Sequence, residues 1–319
     1  MDPGQTRALR AALATNAVFS IVTGTMMVFD GARIAAWLGD VPVPVLQGTG
    51  LGLFAFVALI ATVIARPRAP WALLVSTLDA SWVLGTGALL IVAPGLLTAT
   101  GWVAAIGIAL AVGSLAAWQV EGVRRMLRDP VPGRADYLHR VWVHTDVHAD
   151  AMWSIVSDLG RIAHFAPGLA HASLRDGEAP GVGAVRTCAN TQGHAWREVC
   201  ERFDPEGREL QLRFQTDVPG FPFPAREMLG GWRVHADGEG SIVEIWWSLT
   251  PSTRLPWLLV ALMGLRVDGD MARTVARMAR AARESTQPVL CSTTSSPSPP
   301  LPTVSSKRVP RARTSSVSR

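Results

Sequence analysis

The residues of this chain that could move a proton or hold an anion cluster loosely in its second half: His144, His164, His171, His194, Glu198, Arg226, Glu227 and His235. A general acid and base inside an apolar enclosure are the minimum for an aldol-type cyclisation or a dehydration, because one group must take a proton while another stabilises the enolate. No nucleophile elbow, His-Glu-x-x-His run, paired-cysteine spacing or phosphate loop organises these side chains. His194, Glu198 and Arg226 fall on segments that read as strands and can point inward, yet each is equally an ordinary strand-surface residue. The sequence therefore names no catalytic residue and no metal-ligand set. Cys188, Cys200 and Cys291 are odd in number, show no Cys-x-x-Cys, and read as free thiols in a reducing compartment.

A second kind of chemistry sits in the first half. Asp79 lies well inside an apolar run, and Asn16 lies at a similar depth in another. An intramembrane carboxyl is costly, which raises proton or ion handling as a function. The structural alternative is a protonated or hydrogen-bonded Asp79 that locks the third helix to the first.

The elements that must position these residues change character around Trp118 to Gly133. Before it come four apolar runs, about 8–28, 45–65, 71–92 and 98–118, each long enough to span roughly 30 Å of hydrocarbon. Three later runs and the lack of a convincing cleavage site argue against a signal peptide. Arg7 and Arg10 precede the first run, Arg66 and Arg68 separate the second and third, and Arg124, Arg125 and Arg128 follow the fourth. The remaining loops hold only Arg33. Arginine bias of this kind predicts a multi-pass protein of the cytoplasmic membrane with both termini inside. Rows of small residues should pack between helices: Ala105, Ala109, Gly113 and Ala117, then Thr77, Ser81 and Gly85, with a similar patch at Gly48 and Gly52.

Charge excludes little by itself. Net charge is +5 with 30 basic residues, of which Lys307 is the one lysine. The arginines gather at membrane flanks, on the last helix and in the tail, and no recognition helix, zinc finger or RNP pattern is present, so no nucleic-acid partner is expected.

After a linker at 129–137, the period shifts to alternation. Residues 138–147 read as a strand, and a helix marked by Asp150 follows. Strands are then predicted near 170–176, 182–190, 195–203, 209–217, 226–236 and 241–250, separated by Gly and Pro turns. Pro256 opens a long helix to about Arg283. Strand parity puts Leu210, Leu212 and Phe214 on one face, with Met228, Trp232 and Val234 on the matching face of the next strand, and Gln211, Arg213, Gln215 and Arg233 opposite. On the last strand Val243, Ile245, Trp247 and Leu249 should face in, because Glu244 occupies the other face. The order predicts an α+β domain over 138–284, with an antiparallel sheet curved round a terminal helix.

Two resemblances extend this reading. Residues 5–120 resemble a family of small four-helix bacterial membrane proteins of unknown role, through ALATNAVFS, GTGLGLFAF and LDASWVLG. Residues 138–284 resemble the START-like, or helix-grip, proteins of the SRPBCC group, in the polyketide cyclase/dehydrase-like branch. The matching pieces are VHADAMWSIVSDLGRIAHFAPG, GVGAVRTC, EVCERFDPEGRELQLRF and GGWRVHADGEGSIVEIWWSLTP. That resemblance implies a deep apolar cavity between sheet and terminal helix, used by various members for lipids, steroids or polyketides, with no cofactor or metal required. The candidate lining is Trp153, Phe165, Leu210, Leu212, Phe214, Met228, Trp232, Val243, Ile245, Trp247 and Met263.

The expected whole is a four-helix transmembrane domain at 1–128 joined to the helix-grip domain, with a basic, disordered tail at 285–319. Its partners would be a hydrophobic small molecule and the lipid bilayer, with no prediction of oligomeric state. Binding of a lipid, polyketide or similar molecule is the first functional reading. A membrane-tethered cyclase or dehydratase, and a transporter or sensor bundle regulated by the soluble domain, are the alternatives. Residues 255–265, LPWLLVALMGL, are apolar on every side. One helix face in a groove cannot bury them all, so a lipid-facing lid is expected there, unless Phe221, Phe223 and the helical pair around Phe165 cover the second face.

Overall fold

A computed structural model describes residues 3–175 and 177–286. The expected tail beyond 286, Cys291 included, lies outside the described residues.

Four helices are long and apolar enough to cross a membrane: α1 (Pro3–Phe29), α3 (Val43–Ala65), α4 (Ala69–Val92) and α5 (Ala99–Met126). A short helix, α2 (Gly31–Leu38), fills the loop between the first two. Its sequence carries no membrane-length run, so hydropathy does not reveal it. The outer circumference of the bundle is apolar, with Val22, Leu51, Leu84, Ile91 and Leu110 exposed.

What packs inside the bundle differs from the small-residue rows expected above. Thr77, Ser81 and Gly85 are exposed. The hydroxyls of Thr77 and Ser81 donate to carbonyls one turn back, at Leu73 and Thr77, both at 2.8 Å. The buried stripe of α4 is instead Ala72, Val75, Ser76 and Asp79, because the carboxyl must find donors and so sets which side faces in. On α3, Gly48 and Gly52 have open space beside them, whereas Gly50 meets α1 closely: a Cβ there would come within 2.7 Å of the Gly24 carbonyl oxygen. On α5, Ala117 is exposed, and the close approach to α1 is at Gly122, against the Leu9 backbone. The helix runs to Met126, two turns past Trp118, because nothing before Pro130 breaks it.

That extension completes the polar core. Asp79 Oδ2 accepts from Asn16 Nδ2 at 2.7 Å and from Gln119 Nε2 at 2.9 Å. Ser76 donates to Gln119 Oε1 at 3.1 Å, and Ser20 to Asn16 Oδ1 at 3.4 Å. All five residues are buried, and they tie α1, α4 and α5 together. At the far end, Gly39 and Leu97 form an isolated antiparallel bridge, with Thr98 N donating to Leu38 O at 2.7 Å.

The second half is a seven-stranded antiparallel sheet in the order β1-β7-β6-β5-β4-β3-β2. The strands are β1 (Tyr137–Thr145), β2 (Leu169–Leu174), β3 (Val185–Asn190), β4 (Ala195–Asp204), β5 (Glu209–Phe214), β6 (Ala225–Asp237) and β7 (Gly240–Pro251). Strands β2 to β7 form a meander and β1 closes onto β7, the helix-grip arrangement. Short helices α6 (Ala149–Val156) and α7 (Ile162–Phe165) join β1 to β2, and α8 (Pro256–Thr286) lies along the concave face. The cap of α6 is His148, whose side chain accepts from Asp150 N at 3.4 Å; Asp150 sits in the first turn and holds Arg208 at 2.7 Å.

Outward-facing residues form charged ladders, with Arg213 on Glu201 and Arg233 on Glu209. One exception is Trp246, buried on the outer face beside Leu138 and Leu229. It lies over Gly231, where a Cβ would overlap its ring at 2.1 Å, and the Arg134 guanidinium covers it at 4.3 Å.

The apolar start of α8 is neither a free lid nor buried within the sheet alone. Val260 and Ala261 are buried in a cluster that contains Ala69, Ala72 and Val75 of α4 together with Phe214, Met228 and Leu249 of the sheet. Leu255, Leu262 and Leu265 remain exposed. Phe221 and Phe223 pack on Phe214 and Trp196, and Phe221 borders the same cluster as Val260 and Ala261.

The polar core predicts an asymmetry between two substitutions at one position. Asp79→Asn keeps an acceptor for both amides and should melt close to wild type in detergent. Asp79→Leu strands Asn16 and Gln119 and should lose stability by about 0.6–2 kcal/mol per hydrogen bond. Equal melting of the two variants would contradict the network.

Candidate functional site

The concave face of the sheet carries two apolar clusters. One gathers Trp153 of α6, Phe165 of α7, Leu210 and Leu212 of β5, and Val243 and Ile245 of β7 against Val275, Met278 and Ala282 of α8. The other holds Phe214 and Met228 with Val260 and Ala261 and the near ends of the bundle helices. Trp232 borders the first cluster, Met263 the second, and Trp247 touches both. The structure thus brings the candidate lining onto one face and divides it at Trp247. Leu169 and Ala172 of β2 also touch both clusters. Along this seam Leu169 and Trp247 are half-buried, as are Trp232 and Met271 beside the first cluster and Met263 beside the second.

One charged pair enters this interior. Arg186 on β3 stands directly opposite Glu198 on β4. The arginine Nε donates to Glu198 Oε2 at 2.9 Å, a second guanidinium nitrogen donates to the same oxygen, and Nη1 donates to the Leu159 carbonyl at 3.3 Å. Trp196 Nε1 donates to Glu198 Oε1 at 2.7 Å. Both partners are under 10% exposed, so the pair is desolvated and its geometry matters. Burial, the largest influence, depresses Arg186, but the charge and hydrogen bonds of Glu198 together with the neighbouring Cys188 and Cys200 more than offset it and hold the guanidinium above its ordinary value. Arg186 was invisible in the sequence as anything but part of GVGAVR; its signal is the two-residue alternation placing it on the face of Cys188, which faces Trp196 on β4.

The thiols beside the pair are buried. Burial, reinforced by the neighbouring Glu198 charge, pushes Cys188 up to about 12. Burial raises Cys200 as well.

Most other candidates lie elsewhere. His164, His171, His194, Arg226 and Glu227 are exposed, so His194 and Arg226 take the surface position and not the inward one that was open to them: His194 lies just before β4 and Arg226 beside an irregularity in β6. His144 is exposed near Asp237. His235 bonds Glu244 at 2.9 Å on the outer face, where Arg140 also reaches that carboxylate at 3.0 Å. Glu198 is the one member of the set that faces in, and both its oxygens are occupied. Among the described residues, no group of three or more His, Cys, Asp or Glu side chains is placed to hold a metal. One histidine outside the candidate set does meet α8: His139 on β1 bonds Asp268 at 2.9 Å and stacks on Trp247 with ring centroids 6.1 Å apart.

An antiparallel sheet gripping a long C-terminal helix, preceded by four apolar helices, defines a helix-grip domain joined to a helical bundle. Within it, residues 140–283 match the family described as polyketide cyclase/dehydrase and lipid transport. The chain is similar to norcoclaurine synthase from Thalictrum flavum, solved with dopamine and hydroxybenzaldehyde, at 14% identity and a TM-score of 0.38 over 47% of this chain and 88% of that one. It is also similar to the Zhui aromatase/cyclase from Streptomyces sp. R1128, at 15% identity and a TM-score of 0.38 over 47% and 97% of the two chains. A Thermobifida fusca protein gives 20% identity and a TM-score of 0.39 over 46% and 93%. No curated protein matches the chain.

The buried pair gives a mutational signature. Arg186→Met leaves Glu198 charged and unpaired, and unfolding should become easier by about 3–5 kcal/mol. The double variant Arg186→Met/Glu198→Leu should recover most of that loss, because no uncompensated charge remains. Denaturant melts of the three proteins would check this.

The thiols give a second. With Cys291→Ser as background, iodoacetamide at pH 8 should leave Cys188 and Cys200 unmodified in the folded protein and label both after denaturation. The sign is fixed by the raised pKa: Cys188 favours the fold while the thiol is protonated, and that contribution is lost as pH rises from about 9 towards about 12. Rapid labelling of the folded protein at pH 8 would refute the burial.

Proposed function

We propose that the segment 138–284 binds a hydrophobic small molecule, a lipid, polyketide or similar compound, between the concave sheet and α8. The helices within 1–128 would hold it against the inner face of the cytoplasmic membrane, with 129–137 as the connection. The observation that carries this reading is the half-buried seam of large apolar side chains, Trp232, Trp247, Met263 and Met271, bordering two well-buried clusters. Apolar surface left partly open within a core has a use only if something covers it, and a hydrophobic ligand is the economical cover. The Arg186–Glu198 pair would supply the polar contact that orients such a ligand.

A membrane-tethered cyclase or dehydratase is supported less well. Proton abstraction needs a base with a free lone pair in reach of substrate, and Glu198 already accepts from Arg186 and Trp196. A transport function for the bundle would rest on Asp79, whose buried donors favour a structural lock.

The placement in the membrane draws on arginine position and structure together. The helix ends bearing Arg66, Arg68, Arg124 and Arg125 are those whose neighbours Val63, Ala69, Val123 and Met126 cluster with sheet residues. An arginine-rich side facing the cytoplasm therefore carries the sheet there as well.

Three measurements test the reading. Reporter fusions after Arg68 and Arg128 should behave as cytoplasmic and those after Asp40 and Leu97 as external; an external signal at Arg128 would overturn the placement. Native mass spectrometry of the detergent-purified full chain should find a stoichiometric apolar molecule. Met271→Trp, which narrows the seam at a half-buried position, should weaken binding of an apolar fluorescent dye roughly tenfold, equivalent to about 1.4 kcal/mol. Unchanged dye binding in that variant would remove the site from the seam.

A further inference from the structure

The first turns of α8 and the first half of α4 enclose a groove outside the sheet's concave face. Its volume is about 440 Å³, and its walls include Leu73, Leu74 and Thr77 of α4, Val120 of α5, and Trp257 and Leu262 of α8. The order of contacts shows how the two helices run. Residues nearer the start of α4, Arg68 to Pro70, share a smaller pocket with Ala261, Gly264 and Asp268, whereas Leu73 to Ala80 share the groove with Trp257 to Leu262. The helices are thus antiparallel, and the beginning of α8 lies beside the apolar body of α4 rather than beside its polar end. Pro70 lines both concavities, so the apolar groove adjoins a smaller pocket of about 60 Å³ whose lining includes Gln5, Arg68, His139 and Arg140.

We propose that this groove is a binding site for an anionic glycerophospholipid of the inner leaflet, with one acyl chain between α4 and α8 and the phosphate at Arg68. The inference rests on the reading that the four helices cross a bilayer. Three observations select that occupant. The groove flanks helices long and apolar enough to span a membrane, so hydrocarbon chains are what surrounds it. Its walls are almost wholly apolar, and the hydroxyls it does present, Ser76 and Thr77, already donate to Ala72 and Leu73 carbonyls. An alkyl chain therefore leaves no polar group unpaired there.

Charge completes the match at the polar end. Arg68 is exposed two residues before Pro70, and among the described residues it has no ion pair. Arg124, four residues along the same face of α5 from Val120, is partly engaged by Glu121 at 3.4 Å. In the smaller pocket Asp268 is held by His139 and Arg140 by Glu244, which leaves Arg68 as its free cation. A guanidinium presents a forked donor set suited to phosphate oxygens.

Because Thr77 and Ala80 are exposed, bulky residues can be placed in the groove without disturbing the bundle core. The full chain would be purified in detergent, supplemented with phosphatidylglycerol or phosphatidylcholine, and examined by native mass spectrometry at rising collision energy. Wild type should retain phosphatidylglycerol beyond phosphatidylcholine. Thr77→Trp should abolish that retention, and Leu84→Trp, on the exposed surface away from the groove, should leave it intact. Arg68→Gln should remove the preference for phosphatidylglycerol. Equal retention of the two lipids by wild type, or equal loss in Thr77→Trp and Leu84→Trp, would overturn the proposal. Dye binding at the sheet's concave face, measured on the same variants, should be unaffected by Thr77→Trp. Loss of dye binding with lipid retained would count against the seam and not against the groove.

Discussion

Burial of Val260 and Ala261 is the contact on which the rest of the architecture depends. These two side chains sit between the start of α4 and the inner face of the sheet, and they close a single apolar cluster that runs from Leu9 and Leu13 through Ile60, Val63 and Val75 to Phe214, Met228 and Leu249. A helix held only by its own sheet would need one apolar stripe. This one is apolar on more than one side at its start because it has two neighbours there. The later turns, with Val275, Met278 and Ala282 buried against α6, α7 and the sheet, return to a single stripe.

Pairing of buried polar groups imposes the second constraint, and it is met in the same manner in both halves. Asp79 is satisfied by amides from two other helices, and Glu198 by a guanidinium and an indole from its own sheet. In each case the acidic group fixes which face of its element points inward, since an unpaired carboxylate in an apolar setting costs far more than a misplaced aliphatic side chain. The small-residue row at Thr77, Ser81 and Gly85 yields to that demand.

What the sequence made legible follows from which interactions are local. Alternation along β5 and β7 set the inward faces of Leu210, Leu212, Val243 and Ile245, because a strand's two faces are fixed by parity alone. The four apolar helices were equally plain from run length. Less was legible where partners are distant in sequence. Gln119 looked like part of a polar exit from the membrane, and only the fold places it beside Asp79. Arg186 read as a strand residue until β3 and β4 were paired. The start of α8 announced an excess of apolar surface without saying that α4 would cover part of it, since that contact joins residues far apart in the chain.

The bridge between Gly39 and Leu97, at the end of the bundle away from the sheet, ties the loop after α2 to the turn before α5. Gly101 tightens the tie: a Cβ there would strike the Leu38 carbonyl at 2.2 Å, so the α5 backbone can approach this closely only without a side chain. The bundle is thus held at this end by backbone contacts and at the other by the apolar cluster around Val260 and Ala261. Rods fastened at both ends cannot tilt singly: a change of angle at one fastening must open packed contacts at the other.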